Sequence, residues 1–322
     1  MDKLDQTIIE SILRKFNLSL LGEPQRYTSG IIHRVYDLGK YVLKIEGDYG
    51  KTLQHQGKIL NKLKSLGARV PQAVDYGEVD GKAYLLMEKI EGTNIVYDWM
   101  KMTMAKREKI IAQLAEQLQI YHSVRFDKYS ISITSGKDFT NLQPAMERVA
   151  NFHRIDKDAL ETNYREDIDF LETYYQKYCH LLDEKDSAVL VHNDIHLENI
   201  FHVGDQISGI IDFDWACQAP KDYELWKIIE VVREPKYTVE QKLEPLYENY
   251  QMTTEFDFLK KYYPTLFNVQ NLAERIRLYY LSNKIIGRVE DWQKGKATVA
   301  MNIVQQEIKD LFKSNWLDNL LA

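Results

Sequence analysis

The feature that most constrains the fold is a polar segment set between two short apolar runs in residues 189–214. The first apolar run leads into a polar stretch that contains Asp194 and Asn199, and the second run ends at Asp212. Short apolar runs bounded by turn residues are typical of buried strands. Because a hairpin brings the ends of its strands together, we expect Asp194, Asn199 and Asp212 to converge on one point.

Two carboxylates and a neutral amide at one point are the groups that phosphoryl transfer requires. One carboxylate orients or deprotonates the attacking hydroxyl group, while the other carboxylate and the amide oxygen hold Mg²⁺ against the phosphates. The pattern His-x-Asp-x4-Asn, followed after twelve residues by Asp, is specific because the spacing and the hairpin context must both agree. The segment therefore predicts a phosphoryl-transfer site.

Composition excludes several other classes of protein. With 322 residues, 44% of them hydrophobic and 28% charged, the chain resembles a soluble protein of one large or two ordinary domains. No apolar run approaches the roughly 18 residues of a membrane span, and residues 1–10 lack the apolar core of a signal peptide. Cys179 and Cys217 do not make a disulfide framework, so we expect a reducing cytoplasm. The net charge of −6 argues against nucleic acid as a partner.

The predicted elements change in character near Gly92. Before it, an initial helix over residues 4–16 and a second over 51–66 accompany strands at residues 25–29, 34–38, 41–45, 73–79 and 82–88. After it, a strand-rich stretch at 188–216 interrupts helical patterns at residues 105–123, 141–153, 167–182, 226–232, 272–289 and 298–312. This order predicts a small α+β part followed by a mainly helical part.

The polar segment resembles the catalytic loop and metal-binding segment of the aminoglycoside phosphotransferase family, small-molecule kinases with a protein-kinase-like fold. The resemblance extends from about Tyr27 to Trp226. The run Tyr-Val-Leu-Lys-Ile at residues 41–45 resembles the strand that carries the nucleotide lysine, and residues 84–92 resemble the hinge. Residues 114–123 are similar to the helix that ends in a Leu-His-Ser-like signature.

The resemblance implies an α+β protein with a two-lobed protein-kinase-like fold. A small antiparallel-sheet N-lobe, residues 1–91, would bind the nucleotide. A larger, mainly helical C-lobe, residues 92–322, would carry the catalytic loop, the metal site and the acceptor-binding helices. The implied cofactors are ATP, with GTP as a possible substitute, and Mg²⁺. The implied reaction moves the γ-phosphoryl group to a hydroxyl group of a small cationic molecule such as an aminoglycoside, in a monomer or homodimer.

The resemblance also implies roles for individual residues. Asp194 would be the catalytic base or the group that orients the hydroxyl, and His192 would brace the loop. Asn199 and Asp212 would bind Mg²⁺, and Lys44 would contact the α- and β-phosphates. The other implied nucleotide contacts are Ser29 and Gly30 in the phosphate loop, Met87, Glu88 and Ile90 at the hinge, and Phe201 and Ile211 beneath the base.

Several positions depart from the family pattern. The phosphate loop has a single glycine, Gly30. Gln56 occupies the inward helical position where a glutamate would pair with Lys44, so we expect Gln56→Glu to keep or improve nucleotide affinity. The metal segment reads Asp-Phe-Asp, and we expect its second acid, Asp214, at the metal or acceptor site.

The acceptor is less constrained. Asp222 and Glu224 either form an acidic wall of the acceptor site or begin a helix, with Asp222 as its N-cap. The first 92 residues carry 14 basic and 12 acidic side chains, whereas the remainder carries 28 and 36. An acidic second part either attracts a cationic ligand or is a solvated surface.

Other functions stay open on the sequence. The Asn-Asp pair after His192 resembles choline and ethanolamine kinases, which makes a metabolite kinase the first alternative. His192, Asp194 and His196 also have the alternating spacing of metal ligands on a strand, as in a metallohydrolase. A third alternative is a non-catalytic, kinase-like structural protein, which Mg²⁺-dependent ATP binding would distinguish from an enzyme.

Overall fold

The computed structural model describes residues 2–19, 22–27, 33–47, 53–125, 152, 155–182, 188–295 and 301–322. Within these ranges the chain forms a small lobe, with a five-stranded antiparallel sheet and two helices, and a larger helical lobe. This is the two-lobed α+β fold that the sequence predicts. None of the helices in these ranges is long and apolar enough to span a membrane.

The sheet of the small lobe confirms the predicted strands. They are β1 (Gln25–Tyr27), β2 (Arg34–Asp37), β3 (Tyr41–Ile45), β4 (Ala73–Val79) and β5 (Lys82–Glu88). The strand order is β1-β2-β3-β5-β4, and every neighbouring pair is antiparallel. Gly39 and Gly81 make the two tight turns at φ +81° and +78°, where a side chain would be strained. Residues 28 and 29 of the first predicted strand lie outside the described ranges.

Two helices, α1 (Lys3–Lys15) and α2 (Leu53–Ser65), cover opposite faces of this sheet. Along β5, Leu86 belongs to the apolar cluster of Ile8 on α1, while Leu85 belongs to the cluster of Leu60 on α2. This alternation is the period of two that a strand imposes on its side chains. Lys44 on β3 pairs with Leu85. The lysine side chain therefore lies on the α2 side of the sheet.

The large lobe consists mainly of helices. They are α3 (Met104–Ser123), α4 (Thr162–Tyr178), α5 (Glu224–Arg233), α6 (Glu244–Tyr247), α7 (Thr253–Tyr262), α8 (Pro264–Phe267), α9 (Leu272–Tyr280), α10 (Ile286–Gln293), α11 (Met301–Ile308) and α12 (Trp316–Leu321). A π-helical turn, Leu281–Ile285, joins α9 to α10, so the helix predicted over 272–289 is continuous. The helix predicted over 141–153 falls almost entirely outside the described residues.

Short strands of the large lobe carry the polar segment. They are β6 (Thr93–Asn94), β7 (Val189–Val191), β8 (Ile200–Val203), β9 (Gln206–Ile210) and β10 (Cys217–Ala219). β6, β8 and β9 form one antiparallel sheet, and β7 pairs with β10. Gly92, just before β6, has φ +94°, and a Cβ atom there would overlap the backbone oxygen of His202. The chain therefore needs a glycine where it passes from the small lobe onto the β8–β9 hairpin.

Candidate active site

The loop between β7 and β8 is held by a buried carboxylate. Glu224, the first residue of α5, is fully buried and accepts hydrogen bonds from the backbone N–H groups of His192 and Asn193, each at 2.8 Å. Asn193 has a left-handed backbone with φ +63°, which asparagine tolerates better than most residues. Trp226 of the same helix donates a hydrogen bond to Oδ1 of Asn193 at 2.8 Å. Helix α5 therefore fixes the loop backbone just before Asp194.

His192 braces the loop from its other side, as the resemblance implies. Its Nε2 atom lies 3.0 Å from the carbonyl oxygen of Ile211, and its ring centroid lies 4.3 Å from that of Phe213. Burial lowers the pKa of the imidazole. The backbone N–H of Ile211 also donates to the carbonyl oxygen of Asn199 at 2.9 Å. These bonds hold the segment after β9 directly against the loop.

Asp194 and Asn199 are in contact within the loop. Nδ2 of Asn199 donates to the backbone oxygen of Asp194 at 2.9 Å, and it lies 3.4 Å from Oδ2 of the same residue. Oδ1 of Asp194 lies 3.3 Å from Nζ of Lys227 on α5, and Oδ2 lies 3.5 Å from Nε2 of His196. Burial alone would raise the pKa of Asp194, but His196 and Lys227 lower it to about 2. Asp194 is therefore an anion at neutral pH and can accept a hydrogen bond from a hydroxyl group.

Lys44 extends from the small lobe to two carboxylates of the large lobe. Its Nζ atom lies 2.9 Å from Oδ1 of Asp212 and 3.2 Å from Oδ2 of Asp214. The Asp212 side chain is 37% exposed, whereas that of Asp214 is 7% exposed. Burial alone would lower the pKa of Lys44, but the two carboxylates raise it, so the ammonium group stays charged. Of the two acids, Asp212 is the one that a ligand can reach.

The two carboxylates differ in their electrostatic surroundings. Burial raises the pKa of Asp212 and the neighbouring Asp214 raises it further, whereas Lys44 lowers it. The result is a pKa of about 6. Burial would also raise the pKa of Asp214, but Lys44 and His33 hold it below its usual range. Nε2 of His33 lies 3.4 Å from Oδ1 of Asp214. The anionic form is thus firmly held at Asp214 and loosely held at Asp212.

Gln56 reaches the same cluster from α2. Its side chain is buried, and Nε2 donates a hydrogen bond to Oδ1 of Asp214. The helical periodicity predicts this inward position, but it does not predict the contact with Asp214. The partner lies 158 positions away in the sequence, so the local pattern contains no sign of it.

The expected base-binding residues lie around the β8–β9 hairpin and the end of β5. Met87 and Glu88 are the last residues of β5. The side chain of Ile90 lies directly over Gly209, where a Cβ atom would overlap it. Gly209 pairs with Phe201, and Ile211 follows β9 at the position bonded to Asn199. Ser29 and Gly30 lie outside the described residues.

The expected acidic acceptor wall is corrected by the structure. Asp222 is 1% exposed and forms a two-point ion pair with Arg275, with N–O distances of 2.7 and 3.1 Å. It also accepts a hydrogen bond from the hydroxyl of Tyr279 at 2.9 Å. Glu224 is occupied with the backbone of the loop. Both carboxylates are turned into the fold, so neither forms a surface for an acceptor.

Lys227 also belongs to this cluster, although its sequence position was not predicted to do so. The residue lies three positions after Glu224 on α5, so both side chains share one side of the helix. Lys227 contacts Asp194 and, at 3.1 Å, Oε2 of Glu230. The helical spacing from Glu224 was the available signal, since a residue on that side of α5 lies beside the loop.

The metallohydrolase alternative is not supported by the geometry. Nε2 of His192 is engaged with the backbone oxygen of Ile211. In the described part of the chain, no group of three His, Cys, Asp or Glu side chains is arranged to hold a metal ion. A Mg²⁺ site does not need such a group, because Mg²⁺ takes one or two carboxylates and completes its shell with phosphates and water.

Comparison with solved structures gives the same fold. A mutant of aminoglycoside phosphotransferase APH(4)-Ia, in ternary complex with ADP and hygromycin B, has a TM-score of 0.60 at 13% identity, with 98% of each chain covered. The streptomycin–ATP complex of APH(2")-IIa has a TM-score of 0.59 at 17% identity, also with 98% of each chain covered. ADP-bound APH(2'')-Ib has a TM-score of 0.60 at 16% identity, covering 99% of this chain and 97% of that one.

The sequence was also compared with family models and curated proteins. The model described as the phosphotransferase enzyme family matches residues 23–255, more than two thirds of the chain. No curated protein matches the sequence. The matched range includes β1 to β10 and the whole cluster around Lys44, Asp194 and Asp212.

Proposed function

Because the chain belongs to the phosphotransferase enzyme family, we propose that it moves the γ-phosphoryl group of ATP to a hydroxyl group of a small molecule. The observation that carries the proposal is the 2.9 Å contact between Lys44 of one lobe and Asp212 of the other. The hydrogen bond from the backbone N–H of Ile211 to the carbonyl oxygen of Asn199 holds that contact beside the loop of Asp194. A cation, a reachable carboxylate and an ionised loop aspartate in one cleft are the groups that this transfer uses.

The nucleotide would lie between the lobes. Lys44 would contact the α- and β-phosphates, and the backbone carbonyl of Glu88 and amide of Ile90 would pair with the purine edge. Met87, Phe201 and Ile211 would enclose the base, and Ser29 and Gly30 are proposed to contact the phosphates. ATP is proposed because the similar structures contain ATP or ADP, and GTP is the alternative purine nucleotide.

Asn199 and Asp212 fit a Mg²⁺ ion. The amide nitrogen of Asn199 is used as a donor toward Asp194, and its oxygen is the kind of ligand that Mg²⁺ prefers. Asp212 is the exposed member of the carboxylate pair. When bound, Mg²⁺ would neutralise charge on the β- and γ-phosphates.

Asp194 would orient the acceptor hydroxyl and receive its proton. With a pKa of about 2 it is a weak base, so orientation of the hydroxyl is the larger part of its role. Glu224 and His192 hold the loop backbone in place and contribute by positioning. Rate acceleration would come from alignment and charge neutralisation, without a covalent intermediate.

The acceptor is proposed to be an aminoglycoside, since the similar structures bind hygromycin B and streptomycin. A second candidate is a metabolite with an amino-alcohol or sugar hydroxyl, of the choline or ethanolamine type. One observation favours this second candidate. Asp222 and Glu224 are buried in the fold, and Lys227 lies next to Asp194. The described cleft therefore offers fewer anionic contacts to a polycation than the sequence predicts.

Turnover of Mg²⁺-ATP against a panel of acceptors tests the proposal. The panel contains aminoglycosides, choline, ethanolamine, homoserine and methylthioribose, and Asp194→Ala serves as the blank. Phosphorylation of one acceptor that disappears in the blank would establish the activity and name the acceptor. Failure of the wild-type protein to bind Mg²⁺-nucleotide would contradict the proposal and favour a structural role.

A further inference from the structure

Lys44 needs a permanent anionic partner because its side chain is only 11% exposed. A buried ammonium group without a paired charge is costly, and it would not hold one geometry. In the family pattern a glutamate on the following helix supplies that charge. Here the helix α2, Leu53–Ser65, contains no aspartate or glutamate and carries Lys58, Lys62 and Lys64. The partner charge must therefore come from elsewhere in the fold.

Two carboxylates lie within reach of Lys44, and they are not equivalent. Asp212 is 37% exposed and is assigned to the metal site in the function proposed above. A carboxylate that is shared with a divalent cation is a weak partner for an ammonium group, because the cation competes for the same oxygens. Asp214 is 7% exposed and lies 3.2 Å from Nζ of Lys44. It is the carboxylate that can stay paired with Lys44 while a nucleotide is bound.

The surroundings of Asp214 are complete. Oδ1 receives the amide of Gln56 and faces Nε2 of His33 at 3.4 Å, while Oδ2 faces Lys44. Both oxygens thus have partners from the small lobe, which argues against Asp214 as a second metal ligand. Gln56 occupies the inward position on α2 and uses a neutral donor where the family pattern has a carboxylate. A glutamate there would place two anions side by side.

From this arrangement we propose that Asp214 is the positioning residue for Lys44, and that Gln56 is the matching neutral partner on α2. In this arrangement Asp214, in the metal segment of the opposite lobe, supplies the negative charge that helix α2 lacks. This inference rests on the proposed function and adds a positioning residue to it. It also replaces the expectation that Gln56→Glu keeps or improves nucleotide affinity, because the new carboxylate would lie against Asp214.

A double-mutant cycle of Gln56 and Asp214 tests the proposal. The measured quantity is the dissociation constant of Mg²⁺-ADP, determined by calorimetry in the absence of acceptor. We expect Asp214→Asn and Gln56→Glu each to weaken binding by about tenfold, since each disturbs one charged contact. The double variant Gln56→Glu/Asp214→Asn moves the charge back to α2 and is expected to bind within about threefold of wild type. Gln54→Glu adds the same charge to the exposed side of α2 and is the matched control, with unchanged binding.

The outcomes separate this inference from the function beneath it. Wild-type protein that does not bind Mg²⁺-ADP would contradict the proposed function. Wild-type binding together with an unimpaired Asp214→Asn variant would overturn the positioning role. A double variant that binds no better than Gln56→Glu alone would also overturn it and would favour Asp214 as a metal ligand. That last comparison still decides the question if Asp214→Asn alone does not fold.

Discussion

The Nζ atom of Lys227 lies 3.3 Å from Oδ1 of Asp194 and 3.1 Å from Oε2 of Glu230. The same helix, α5, begins with Glu224, which holds the backbone of the loop. One helix therefore sets both the position of the loop and the electrostatic surroundings of its aspartate. Changes on this side of α5 should affect turnover more than nucleotide binding.

The first prediction concerns Lys227→Met. Removing a cation 3.3 Å from Asp194 takes away a fixed charge beside the proposed catalytic residue, and we expect kcat to fall about 10- to 100-fold. The KM for nucleotide should stay unchanged, because Lys227 contacts Asp194 and Glu230 rather than the Lys44 cluster. Lys101→Met is the control, because the side chain of Lys101 is 76% exposed. Steady-state kinetics of the two variants provide the measurement. A parallel loss in both variants would contradict the assignment.

The second prediction is for Asp194→Asn, which keeps the shape of the side chain and removes its charge. Loss of the hydroxyl-orienting carboxylate should lower kcat by about 10²- to 10⁴-fold. Binding of Mg²⁺-ADP should change little, because the contacts of Lys44 do not include Asp194. Near-wild-type turnover would exclude Asp194 as the catalytic residue.

The third prediction concerns the ion pair of Asp222 and Arg275, whose side chains are 2% and 1% exposed. Asp222→Ala leaves a buried guanidinium group without its carboxylate, which is expected to cost about 3–5 kcal/mol in the free energy of unfolding. The surface pair of Lys236 and Glu248 gives the comparison, and Glu248→Ala should have little effect. Urea unfolding of the two variants checks the difference. If Asp222 instead contacted the acceptor, its variant would lose activity and keep wild-type stability.

The fourth prediction is a pH dependence at Glu230. Burial alone would raise the pKa of Glu230, but Lys284 and Lys227 lower it to about 2, below the ordinary value of 4.5. Because folding lowers the pKa of Glu230, the ionised carboxylate stabilises the fold fully at pH values above 4.5. This stabilisation is lost as the pH falls toward 2. Glu230→Gln should therefore cost roughly 2–3 kcal/mol at pH 7. The free energy of unfolding, measured at pH 7 and at about pH 3.5, should differ less between variant and wild type at the lower pH. An equal difference in unfolding free energy at the two pH values would contradict the ion pairs of Glu230.

The fold was largely predictable because its signals are local. The strands of the small lobe are short and are separated by turns such as Asp80-Gly81, which adopts positive φ values of +49° and +78°. The helix predicted over 51–66 is described as Leu53–Ser65. Helix α7 was missed, because its ten residues lie among short segments that contain Pro264 and lack a long apolar period.

The site was less predictable wherever a partner lies far away in the sequence. The prediction that Asp222 lies in an acidic wall was wrong. Its partner, Arg275, lies 53 positions away in the sequence, so the local pattern around Asp222 gives no sign of the ion pair. Gln56 was placed inward correctly, and its partner could not be read from α2. Lys227 was overlooked because a lysine on a helix surface is usually solvated. Long-range pairing is decided by packing, which composition and periodicity do not record.

The left-handed backbone of Asp212, with φ +68° and ψ +68°, has a consequence for how this segment can change over generations. Asparagine and aspartate tolerate this conformation better than most residues, but only glycine adopts it without strain. The charge of Asp214 beside it destabilises the fold further when Asp212 is ionised. Glycine at this position would relieve both the backbone strain and the charge repulsion, so selection for folding alone would favour it. With the function proposed above, the aspartate is a stability–activity trade-off, in which a locally unfavourable residue is kept for its chemistry.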